Sequence, residues 1–182
     1  MAFIDSEGEP WQELSCVMLS LKEKRIVAVY HQYAACPPFE DEWARLHLHG
    51  LNPRFLMKHG FPDEASLVTD FKVWLQPFEV IGFFANDPQR ELDKLNIKIH
   101  DIHLPKWVER YDCEYHHIPQ LYKMSNKPFH GIVCNNEVHC DYVYQFIRRC
   151  RTPSAKVKAL HGFHCSLADA HELCLYYMKM YL

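Results

Sequence analysis

Residues 2–8 read AFIDSEG. Three apolar residues lead into two acids that alternate about Ser6. Side chains along a strand alternate between its two faces, so Asp5 and Glu7 project the same way. AFID (2–5) therefore reads as a short buried strand that finishes at a site. SCVMLSL (15–21) and RIVAVYHQY (25–33) read as the next two strands, joined by the turn KEK. The period then changes. DEASLVTDFKVWL (63–75) places Leu67, Phe71 and Trp74 on one helical face, with Asp63 as N-cap after Pro62. FEVIGFFA (78–85) is a continuous apolar run, a buried central strand. DPQRELDKL (87–95) starts a helix with Pro88 in its first turn, and IKIHDIHL (97–104) is a further strand. EVHCDYVYQFIRR (137–149) and the stretch from Ser166 onward are helices. Three strands followed by alternating helices and strands predict an α/β domain with a mixed sheet.

The 182 residues, 48% of them hydrophobic and 14% aromatic, suit one folded domain spanning 1–182. The leading MAFIDSEGEP is acidic and lacks a long apolar run, so it does not read as an export signal. No apolar run approaches the roughly 20 residues that cross a bilayer. The expectation is an intracellular protein, cytoplasmic or nuclear. Eight cysteines in that setting argue for reduced thiols or metal ligation rather than disulfides. A net charge of −3 carries no global nucleic-acid signature. Locally, RRCRTPSAKVK (148–158) holds five basic residues and no acid.

Further carboxylates stand where elements begin. Asp87 follows the second buried strand at the start of a helix, and Asp169 lies in the first turn of the last helix. Strand ends and helix starts along one edge of an open sheet are where α/β sites form. Each acid also has a plain structural reading. Asp87 before Pro88 is a good N-cap, and Ser166 with Asp169 makes a capping box. Asp5 and Glu7 also fit solvated turn residues, and His164 a hydrogen-bonded structural histidine. Four converging carboxylates repel one another unless cations neutralise them. Such hard oxygen ligands suit Mg²⁺ or Mn²⁺. Two such ions stabilise the attacking and leaving oxygens of a phosphodiester displacement, with His164 as the base that deprotonates water.

Four blocks carry a resemblance: FIDSEG (3–8), ARLHLHGLNPRFLMKHGFPDEASLVTDFKVWL (44–75), VIGFFANDPQRELDKL (80–95) and HCSLADA (164–170). In this order they resemble the DEDDh 3′–5′ exonucleases of the RNase T and DnaQ-like superfamily. The resemblance implies a ribonuclease H-like fold, a five-stranded mixed sheet flanked by helices. It implies that Asp5, Glu7, Asp87 and Asp169 hold two Mg²⁺ or Mn²⁺ ions and that His164 is the general base. The implied substrate is the 3′ end of single-stranded RNA, slightly favoured, or DNA, with nucleoside 5′-monophosphates released.

The chain departs from many relatives in having Gly8 rather than threonine after the motif glutamate, where the backbone meets the terminal nucleotide. PWQELS (10–15) resembles the branch that trims RNA ends. Trp11 reads either as a platform for a terminal base or as core. His49 reads as a contact to the substrate backbone or as a turn histidine beside Gly50. Arg148, Arg149 and Arg151 read as part of a phosphate track or as a solvated loop.

CEYHH (113–117) and CNNEVHC (134–140) add Cys113, His116 or His117, Cys134, His139 and Cys140, a set compatible with a structural Zn²⁺. The Maelstrom domain, of the same fold, combines a lost exonuclease centre with zinc ligands. A catalytically inactive nucleic-acid-binding module of that kind is the alternative function. The chain differs from it in keeping the full acidic set.

Overall fold

The computed structural model describes residues 1–8, 10–35, 51–76, 82–84, 95, 130–131 and 166–182. In chain order the elements are β1 (Ala2–Glu7), β2 (Glu13–Ser20), β3 (Arg25–Tyr33), α1 (Pro53–His59), α2 (Glu64–Leu75), β4 (Gly82–Phe84), β5 (His130–Gly131) and α3 (Ser166–Tyr181). One sheet runs in the order β4-β1-β2-β3-β5. β1, β2 and β3 form an antiparallel meander, β4 lies parallel to β1, and β5 adds a two-residue parallel pairing to β3. The chain is thus α/β with a mixed sheet. Of the remaining elements expected from sequence, strand 97–104, helix 137–149 and all of helix 87–95 except Leu95 lie outside the described residues.

Local chemistry sets the boundaries. Gly8 takes a φ of +86° at the turn out of β1, where a Cβ would stand 3.2 Å from the Gln12 Cγ. That turn is closed by the Gln12 N–H donating to the Glu7 carbonyl at 2.8 Å. Glycine meets a left-handed backbone without the Cβ clash other residues suffer. Asn52 caps α1 by accepting from the Arg54 N–H at 3.1 Å, with Pro53 in the first turn. Asp63 caps α2 by accepting from the Ser66 N–H at 2.7 Å, as its position after Pro62 predicts. That bond holds the Asp63 carboxyl below the usual carboxylate range.

The sheet is packed on both faces. On one, Ile4, Leu14, Cys16, Ala28 and Tyr30 meet Leu67, Val68, Phe71 and Leu75 of α2. Tyr30 lies 4.8 Å from Phe71 and 5.3 Å from Trp74, ring centre to ring centre, and its hydroxyl donates to Asp70 at 2.8 Å. On the other face, Phe3, Val17 and Val29 meet Leu167, Ala170 and Cys174 of α3. Of its two readings, Trp11 takes the core one. It is 2% exposed and packs in the α2-side core, with its backbone N–H donating to Glu64 Oε1 at 2.9 Å. A ring enclosed on that side offers no face to a terminal base.

Among the described cysteines, Cys16 and Cys174 are free and buried. Burial pushes the Cys174 thiol up to about 12 and that of Cys16 higher still, so both behave as small apolar groups. No helix of the described residues is long and apolar enough to cross a membrane.

Phe71 is fully buried between Tyr30 and Trp74. Phe71→Ala should cost about 3–5 kcal/mol, the usual range for emptying a packed aromatic site. Urea unfolding of the two proteins measures it, and a loss below about 1 kcal/mol would contradict this packing.

Candidate metal centre

The face of the sheet beneath α3 changes character along its strands. Cross-strand pairing aligns Phe3, Val17 and Val29 in one row. The next row on that face is Asp5, Ser15 and His31, and the one after is Glu7, Glu13 and Tyr33. An apolar floor thus gives way to a polar one within two residues of β1. Leu167, Ala170 and Cys174 cover the apolar row, and Asp169 stands in the first turn of the same helix. Asp5, Glu7 and Asp169 each bring an oxygen within 4.8 Å of the others. Asp5 and Glu7 are buried and Asp169 is partly so.

Three carboxylates this close raise one another's proton affinity. Burial holds the Asp5 carboxyl well above its usual value, with Glu7, Asp169 and Glu13 adding in that order, against the Ser6 backbone N–H. Asp5 Oδ2 is buried and meets no hydrogen-bond donor among the described residues. A buried carboxylate oxygen without a donor, on a residue that clusters with other carboxylates, is a group that a cation would satisfy. The donors are all hard oxygens, the set that Mg²⁺ or Mn²⁺ takes, and no thiolate stands among them.

A second buried polar group lies beside the cluster. Glu13 and His31 are both 0% exposed, and His31 Nε2 lies 2.7 Å from Glu13 Oε1. The other oxygen, Glu13 Oε2, accepts from the Ser166 backbone N–H at 3.3 Å. Ser15 Oγ and Ser166 Oγ are 2.6 Å apart. Glu13 and His31 were not singled out by sequence reasoning. Their signal was present: polar residues at alternate positions of otherwise apolar strands. The Ser166 side chain also does more than a local capping box implies. α3 begins at Ser166 itself, and its hydroxyl reaches across to β2.

Of the residues that the sequence nominates, Asp5, Glu7 and Asp169 are brought together. Gly8 follows directly as the turn out of β1, where its positive φ accounts for the glycine. Trp11 packs on the opposite face. Asp87, His164, His49, Arg148, Arg149 and Arg151 lie outside the described residues, as do Cys113, His116, His117, Cys134, His139 and Cys140. No family model, curated protein or solved structure matches the chain.

The raised Asp5 carboxyl has a thermodynamic consequence for the ion-free protein. Folding favours the protonated form, because the folded value lies above the unfolded one. That contribution is complete below about pH 4, the unfolded carboxylate value, and is lost as pH rises through the folded value. Asp5→Asn removes it. Thermal melts in EDTA should therefore show the wild-type melting temperature falling, relative to that of Asp5→Asn, as pH rises from acid to neutral. Parallel curves for the two proteins would show that Asp5 is ionised without penalty.

Proposed function

We propose that the chain is a metal-dependent 3′–5′ exonuclease of the DEDDh kind, built on a ribonuclease H-like fold. Its substrate is the 3′ end of single-stranded nucleic acid, RNA before DNA. The observation that carries this reading is the convergence of Asp5 and Glu7, from the first strand, with Asp169, from the last helix, within 4.8 Å. Those are three of the four acids that the family resemblance nominates, and they come together from opposite ends of the chain. The antiparallel meander with β4 parallel to β1 supports the fold, since it seats the acids at the end of a central strand.

In this reading Asp5, Glu7 and Asp169, with Asp87 from the second motif, hold two divalent ions. When bound, the ions supply charge stabilisation at the phosphorus and lower the pKa of water. The carboxylates would fix the position of the ions and leave coordination sites for water and phosphate oxygens. His164, two residues before Ser166 in sequence, accepts the proton of the attacking water at an imidazole nitrogen. The basic stretch that holds Arg148, Arg149 and Arg151 steers phosphates toward a site whose own charge repels them.

A 3′-labelled oligonucleotide should be shortened to mononucleotides with Mg²⁺ or Mn²⁺ and left intact with EDTA. Asp169→Ala should abolish turnover while keeping the helical signal in circular dichroism, because metal ligands act as a unit. A variant that keeps near-wild-type rates removes Asp169 from the centre.

His164→Ala should instead slow turnover by roughly 10²–10⁴-fold, the usual contribution of a general base, with metal affinity largely spared. The acid limb of the pH–rate profile should disappear with it. An unchanged profile returns His164 to a structural role.

A further inference from the structure

Glu13 is buried beside the acidic cluster, yet both of its oxygens are already engaged. Oε1 meets His31 Nε2 at 2.7 Å, and Oε2 accepts from the Ser166 N–H at 3.3 Å. With Glu13 ionised, the imidazole donates from Nε2. The His31 ring is itself held against Tyr33, centroid to centroid at 4.8 Å. Glu13 and His31 are diagonal neighbours on paired strands in the middle of the sheet, a rigid base.

The first backbone N–H groups of a helix have no partner within the helix. A local side chain usually supplies one. Here the acceptor for Ser166 comes from the second strand of the sheet, and a second tether joins Ser15 Oγ to Ser166 Oγ. Asp169 follows Ser166 within the same turn. We propose that Glu13 is a positioning residue: seated by His31, it grips the start of α3 and so sets where Asp169 stands against Asp5 and Glu7.

This role rests on the metal-centre reading, and it gives Glu13 a task different from that of the three ligand carboxylates. A ligand needs an oxygen turned to the ion. A clamp needs both oxygens turned to the scaffold, and Glu13 has them so turned. Outer-shell partners that orient ligands typically matter by 10–100-fold in metal affinity or activity.

Charge and position can be separated at Glu13. Glu13→Ala removes both. Glu13→Gln removes the charge and keeps the shape. Its carbonyl oxygen accepts from Ser166, and its amide donates to the other tautomer of His31.

The test titrates Mn²⁺ into the full chain and reads free Mn²⁺ by electron paramagnetic resonance, with circular dichroism on every variant. Glu13→Ala should bind Mn²⁺ roughly 10–100-fold more weakly, and Glu13→Gln should stay close to wild type. Equal losses in both overturn the proposal, since Glu13 then acts through its charge. Unchanged binding in Glu13→Ala overturns it too. Should Glu13→Ala fail to fold, His31→Phe keeps the ring beside Tyr33 and deletes the donor. Weakened binding in that variant supports the clamp, and unchanged binding overturns it. A wild-type chain that binds no Mn²⁺ sinks the metal centre and the clamp together. A wild-type chain that binds, with Glu13→Ala as its equal, sinks the clamp alone.

Discussion

The pairing of β1 with β2 places Asp5 opposite Ser15 and Glu7 opposite Glu13. Because the side-chain period of a strand is two, a slip of one residue would send this whole set to the other face. Asp5 and Glu7 would then face the apolar layer under α2, and Ile4 would face α3. The register is secured by the apolar residues that precede the acids. Phe3 and Val17 are committed to the α3 side, and Ile4 and Cys16 to the α2 side. Hydrophobic packing at the start of the strand thus decides where the carboxylates at its end must point. The centre depends on that order of residues more than on any contact among the acids themselves.

Against this geometry stands a large electrostatic cost. Asp5, Glu7 and Glu13 are all buried, and Asp169 is partly so. Such a concentration of carboxylates persists where packing over-determines it, a proton neutralises part of it or a cation offsets it. Glu13 is relieved by His31 and by the positive end of α3, where an acid at a helix N-terminus is favourable. Asp5 keeps a buried oxygen with no donor among the described residues. The two acids therefore differ in kind: one is built into the scaffold, and the other is held ready at its edge.

The strands β1 to β4 and the α2 helix were legible because their signals are local, whereas the two-residue β5 was not. Asp63 after Pro62 announces a helix start, and it caps one. Asp5 and Glu7 alternate in sequence and so share a face in space. β2 begins at Glu13 rather than at Ser15, where the apolar run suggests a start. A glutamate reads as loop until its partner is known, and His31 lies on another strand. Trp11 was ambiguous for the same reason. An aromatic beside a turn carries no mark of which side of the sheet it enters, and α2 decides it. The grip of Glu13 on Ser166 joins residues distant in sequence, with no motif to betray it.

The separation of the acids along the chain has a consequence for biosynthesis. A polypeptide emerging from the ribosome displays β1 first and α3 much later, and domains form as their parts become available. The early meander can pair as soon as Tyr33 is out, since its contacts are local. The acidic cluster cannot close until Ser166 and Asp169 dock on it. A chain interrupted before that point has two of the three clustered carboxylates and lacks the third. Completion of the acidic cluster is thereby deferred to the last helix described.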